Sequence, residues 1–180
     1  MSDQTPGNAA AAPPRYRPMG DGALSVEFAN EISPAVNGRV RALLAALDAW
    51  APPGLLDLVP AYRALLIIYD PLALPYATLL ERLRALEAGA EWGEPPRRRV
   101  VLPVCYGGEF GPDLAAVAAH TGLTADEVIA RHSARAYPVY FLGFAPGFPY
   151  LGGLDPALAT PRLPRPRTRV PAGAVAIGGE

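Results

Sequence analysis

The chain has 180 residues, 51% of them hydrophobic, and a formal net charge of -1 at pH 7. That length admits one or two domains with a real core, and so near-neutral a balance argues against a general nucleic-acid binder. All 16 basic side chains other than histidine are arginine, which excludes a Walker A lysine, a Schiff base and a biotinyl attachment within the chain.

Other classes fall away in the same manner. One cysteine, Cys105, rules out an internal disulfide and suits a reducing compartment. Serine occurs at Ser2, Ser25, Ser33 and Ser133, none of them in a G-x-S-x-G elbow. Two histidines and one cysteine are too few for a closed structural zinc site, so no metal is expected. No run reaches transmembrane length and the start lacks a signal-peptide pattern, so a cytoplasmic protein is expected, with no membrane partner.

In chain order, residues 1–15 read as a disordered Ala/Pro tail. Ala23 to Phe28 alternates Leu24, Val26 and Phe28 against Ser25 and Glu27, the period of a half-buried strand. Ser33 and Pro34 start a helix, capping it and taking its first position, and Val36, Val40, Leu43, Leu44 and Leu47 give it one apolar face. Leu55 to Val59 and Arg63 to Tyr69 then read as a hairpin turning at Pro60.

Pro75 opens a second helix with Tyr76, Leu79, Leu80, Leu83 and Leu86 on one face. Gly93 to Pro96 end it, and Arg98 to Val104 are expected to form a last strand. The resulting order β-α-β-β-α-β is that of a ferredoxin-like unit over residues 16–104. Residues 105–136 form a two-helix connecting segment. Within it Cys105 reads as a small residue at a strand end, with a thiolate nucleophile as the alternative, and Glu109 and Asp113 flank a helix start at Pro112. That helix closes at Gly122, and Thr124 and Glu127 make a capping box for the next, which ends near His132.

Tyr137 to Leu142 is another strand. It enters a loop, GFAPGFPYLGG, whose glycines and prolines fix a specific backbone path. Phe144, Phe148 and Tyr150 stand in that loop, where a solvated connection would not carry three rings, so either the protein body or a partner is expected to cover them. Beyond it, Arg162, Arg165, Arg167 and Arg169 interleave with Pro161, Pro164, Pro166 and Pro171. Proline at this density excludes helix and sets four guanidinium groups on a stiff, extended ribbon suited to carboxylate or phosphate. A strand, Ala174 to Ile177, follows.

GFAPGFPYLGGLD followed by PRLPRPRTRVPAGAVAIGG resembles the signature of the allophanate hydrolase subunit 1 family. PMGDGALSVEFANEISPAVNGRV, VPAYRALLIIYDP, LPVCYGGEFGPDL and TADEVIARHS resemble the family's successive segments, so the likeness runs from about Arg17 to the end. The resemblance implies an α+β chain: the ferredoxin-like unit followed by a cyclophilin-like β-barrel, of which residues 137–180 are a part. The family continues beyond the point where this sequence stops, so the barrel is expected to be incomplete at its C-terminus.

The family includes the B subunit of an ATP-dependent 5-oxoprolinase, which opens 5-oxo-L-proline to L-glutamate. This implies ATP with Mg2+, bound by a complex with subunits A and C rather than by a recognisable motif here. Activation of the lactam oxygen by phosphorylation is the route expected for such a reaction. Phe144, Pro146, Gly147, Phe148 and Tyr150 would wall the substrate or ATP pocket, and Arg162, Arg165, Arg167 and Arg169 would meet the anions. His132, at a position where the family also carries histidine, is the catalytic candidate, with an orienting role as its alternative. The family also includes a Kip-type inhibitor of a sporulation histidine kinase, so a kinase is the alternative partner. A role in allophanate or urea breakdown is a third possibility.

Overall fold

The computed structural model describes residues 12–89 and 98–179. They divide into two compact units, one of residues up to Arg98 together with Val139–Tyr150, the other of Arg99–Pro138 and Leu151 onward.

The first unit is built on a four-stranded antiparallel sheet. Its strands are β1 (Arg15–Pro18), β2 (Ala23–Glu27), β3 (Leu55–Pro60) and β4 (Ala64–Tyr69), in the spatial order β1-β2-β4-β3. The period-2 pattern of β2 and β4 puts Leu24 and Val26, and Leu65, Ile67 and Tyr69, on one face, and all five are buried. Helices α1 (Pro34–Trp50) and α2 (Tyr76–Gly89) supply most of the rest of the core, Val36, Val40, Leu43 and Leu47 from the first and Leu79 and Leu83 from the second, with Phe28 and Leu74 beside them. Ser33 is extended and its hydroxyl accepts from the Val36 N–H at 3.3 Å, with Pro34 in the first turn, so α1 starts where the capping residues dictate.

Two expected strands, Arg98 to Val104 and Ala174 to Ile177, are corrected. Arg98–Val104 forms no strand; these residues are irregular and exposed, Val101 at 82%. The sheet edge beside β2 is taken instead by β1, paired from Arg15↔Glu27 to Pro18↔Leu24. Side-chain ties explain why the N-terminal segment holds that place. The Tyr16 hydroxyl donates to Glu87 of α2 at 3.0 Å, and Arg17 pairs with Glu27 at 3.4 Å. Arg39 of α1, almost fully buried, lies 3.6 Å from Glu87, donates to the Ala12 carbonyl at 2.8 Å and stacks over the Phe28 ring. The expected end of α2 at Gly93 to Pro96, and most of the expected tail, lie outside the described residues.

A short hairpin, β5 (Val139–Leu142) with β6 (Pro149–Leu151), forms a second sheet. Its residues up to Tyr150 group with the first unit. The second unit carries α3 (Leu114–Thr121), α4 (Ala125–Ser133) and a 3-10 turn at Pro156–Leu158. Gly122 closes α3 in the left-handed conformation, and the expected capping box between Thr124 and Glu127 opens α4. Ala174 to Ile177, expected as a strand, is irregular. The ladder contact described near it is a bridge between Thr160 and Gly179. The described residues thus make a mixed α/β chain with four α-helices and an antiparallel sheet. No described helix is long and apolar enough to cross a membrane.

Candidate functional site

The signature loop is the turn of the β5–β6 hairpin. Gly143 N–H donates to the Phe148 carbonyl at 3.0 Å, and Phe148 N–H returns to the Ala145 carbonyl at 3.0 Å. This closes a tight turn with Pro146 exposed and Gly147 at φ +76. Phe144 also lies in the left-handed region, at φ +62, a strained backbone for a bulky residue.

Its ring, 89% exposed, heads a continuous file of aromatics. Phe144 meets Phe148 edge-on at 5.5 Å, Phe148 meets Tyr150 at 5.3 Å, and Tyr150 stacks on Phe141 at 4.4 Å. Tyr62, from the β3–β4 turn, stands edge-on to Phe141 at 4.9 Å and to Tyr140 at 5.4 Å. The body of the first unit therefore covers the inner rings, Tyr150 among them, and leaves Phe144 bare. Sequence reasoning missed Tyr62, whose place in the file depends on a tertiary contact.

The file is clamped from the helix side. Asn37 of α1, buried, directs its side-chain nitrogen at the carbonyls of Ala61, Tyr62 and Tyr140, at 3.3, 3.2 and 3.3 Å.

In the second unit the four arginines are exposed along an irregular path with bends at Pro164, Arg165 and Thr168. Arg167 forms an ion pair with Asp113 at the start of α3, and Arg162 Nε donates to the Gly178 carbonyl at 3.4 Å. Arg165 and Arg169 present their guanidinium groups at the surface.

His132, in the last turn of α4, is half-buried between two tyrosines. The Tyr106 hydroxyl lies 2.5 Å from its Nδ1, and the Tyr137 ring lies against it at 5.1 Å while its hydroxyl donates to the His132 carbonyl at 2.8 Å. Burial lowers the imidazole pKa from 6.5 and raises those of both phenols, so all three groups are neutral near pH 7. Neither tyrosine was singled out from the sequence. Cys105, next to Tyr106, is exposed. A groove of about 380 Å³ beside Leu44, Asp48, Pro52 and Leu56 contains none of the expected site residues.

The sequence pattern of the family described as Carboxyltransferase domain, subdomain C and D matches residues 14–180. The chain belongs to that family. Among relatives of this carboxyltransferase-domain chain, the 5-oxoprolinase B subunit of Bacillus subtilis (strain 168) is 42% identical over 175 residues, covering 89% of this chain and 72% of the relative. The protein of the same name from Escherichia coli O157:H7 is 46% identical over 130 residues, covering 71% of this chain and 58% of its own length. The crystal structure of TTHA0988 superposes with a TM-score of 0.75 at 44% identity, over 87% of this chain and 30% of that one. The carboxyltransferase-domain chain thus spans about a third of the length of that solved relative.

ATP, with Mg2+, can be tested against the side chains present. Guanidinium groups are suitable donors to phosphate, and Arg165 and Arg169 are exposed with that chemistry. No group of three or more His, Cys, Asp or Glu that could hold a metal ion occurs among the described residues.

Proposed function

We propose that this chain is part of the B subunit of an ATP-dependent 5-oxoprolinase, a complex that opens 5-oxo-L-proline to L-glutamate. The reading is carried by its 42% identity, over 89% of its length, to a relative that bears that name. In this proposal the four-stranded sheet with α1 and α2 is a ferredoxin-like unit whose edge strand is β1. The remainder contributes to a cyclophilin-like barrel that the longer relatives complete.

The side chains suit the chemistry. Amide resonance makes a lactam a poor electrophile, so its opening needs charge stabilised on oxygen and a fixed substrate. Phe144, Pro146, Gly147, Phe148 and Tyr150 offer an apolar wall for the flat ring. Arg165 and Arg169 offer donors to a carboxylate or to ATP phosphates, which would supply the driving force for opening. Arg162 and Arg167 are partly engaged by Gly178 and Asp113, so their share is smaller. His132 is the group that would hold or move a proton.

Because this chain has no lysine-bearing phosphate loop and no nucleophile elbow, turnover is assigned to the assembly with subunits A and C. The test is reconstitution with candidate A and C subunits, following glutamate release from 5-oxoproline with and without ATP. ATP-dependent release is expected from the assembly and none from this chain alone. Solo turnover, or an assembly inert in the presence of ATP, overturns the reading. Arg165→Ala with Arg169→Ala should lower that activity by about tenfold or more while leaving the fold intact, as for loss of charge-assisted bonds.

A further inference from the structure

We propose that Tyr106 is a positioning residue that locks His132 as the tautomer carrying its proton on Nε2, so that the pair forms a binding site for a carbonyl or carboxylate oxygen. The lactam as ligand rests on the oxoprolinase reading above; the locked tautomer does not.

The argument starts from the 2.5 Å separation between the Tyr106 hydroxyl and His132 Nδ1. Of the two groups the phenol is the better donor and the neutral imidazole nitrogen the better acceptor, so the shared proton belongs to tyrosine. The imidazole proton then sits on Nε2. That nitrogen has no hydrogen-bond partner among the described residues, and His132 is only half-buried.

The ring is held on more than one side. Tyr106 stands edge-on to it at 79°, and Tyr137 lies against it at 33° while its hydroxyl fixes the backbone carbonyl of His132. Tyr106 itself is held by a tight loop. Gly107 carries φ +75, and Gly111 N–H donates to the Gly107 carbonyl at 2.9 Å.

The cations that flank His132 in sequence are already engaged, Arg131 of α4 with Asp155 at 3.2 Å and Arg135, beyond its end, with the Gly153 carbonyl at 3.2 Å. What remains is a fixed, neutral N–H donor set against apolar ring surface. Such a donor suits an oxygen that gains negative charge, because it needs no reorganisation when the charge develops.

The experiment is two-bond ¹H–¹⁵N NMR of the histidine side chains, unambiguous because His120 is the other histidine and His132→Gln removes one signal. Wild type should show His132 in the Nε2–H form. Tyr106→Phe should lower the tautomer ratio by about threefold to tenfold, the worth of one hydrogen bond, and raise the pH at which His132 titrates. Tyr137→Phe, which leaves Nδ1 untouched, should not change the ratio. An unchanged ratio in Tyr106→Phe, or an equal change in both variants, overturns the proposal.

Titration with 5-oxoproline, and separately with acetate, supplies the second arm. A saturable shift of His132 Nε2 without one of His120, weakened in Tyr106→Phe, supports the site. A response to acetate but not to 5-oxoproline keeps the site and counts against the oxoprolinase substrate. A response to neither overturns the site.

Discussion

The side-chain nitrogen of Asn37 lies 3.3 Å from the Tyr140 carbonyl, joining α1 to the signature hairpin across 103 positions of sequence. The same nitrogen lies within 3.3 Å of the carbonyls of Ala61 and Tyr62. One NH2 group, with two hydrogens, is thus shared among three backbone acceptors from distant segments. Asn37→Ala should cost about 1–3 kcal/mol, read as a lower urea midpoint, with hydrogen exchange accelerating first in β5. Asn37→Asp should cost more, because a carboxylate would face three carbonyl oxygens. A hairpin equally protected in all three proteins would show that the clamp is idle.

Phe144 combines φ +62 with 89% exposure, so its backbone is strained while its ring is little used by the unit that carries it. Phe144→Gly should stabilise the chain by up to about 1 kcal/mol by relieving that strain, measured as a raised Tm. Phe144→Ala keeps the strain and should bring no such gain. Both should weaken turnover of the reconstituted assembly if the ring serves the proposed pocket. Equal Tm values for the two variants would count against the strain.

A methyl group at Gly111 would meet the Gly107 backbone nitrogen at 2.3 Å, closer than any real contact allows. Gly111→Ala should therefore open the loop that seats Tyr106 without touching either partner of the Tyr106–His132 contact. The expected readout is the tautomer change seen in Tyr106→Phe. An unaltered His132 signal would mean that Tyr106 is held by something else.

Burial lowers the His132 pKa in the folded state from 6.5. The unfolded chain then takes up the proton more readily than the folded one. His132's contribution to stability is complete above pH 6.5 and is lost as pH falls through that value towards the lower, folded pKa. Glu127, bonded by Thr124, and Asp155, bonded by the Ala157 N–H and Arg131, also have lowered pKa values, and their contributions are lost at lower pH, below the ordinary carboxylate range. Urea midpoints measured from pH 7.5 to 5 should fall in wild type and less steeply in His132→Gln. Parallel slopes would contradict the burial of the imidazole.

The sequence by itself determined what depends on near neighbours. Ser33 and Pro34 set the start of α1, and Thr124 with Glu127 set that of α4, because capping bonds span only three residues. The alternating Leu24, Val26 and Phe28 announced a strand with one buried face, and the Gly/Pro punctuation around Phe144 announced a fixed backbone path. Tertiary structure decided the rest. Local pattern pointed to a strand at Arg98–Val104 and to none at Arg15–Pro18, and the choice of β1 as the partner of β2 lies with Tyr16, Arg39 and Glu87, which meet only after folding. Tyr106 and His132 are 26 positions apart, and no local pattern marks one as the other's partner. A cap or a strand period repeats within a few residues and can be read along the chain, whereas a contact between distant segments depends on where the packed core places them.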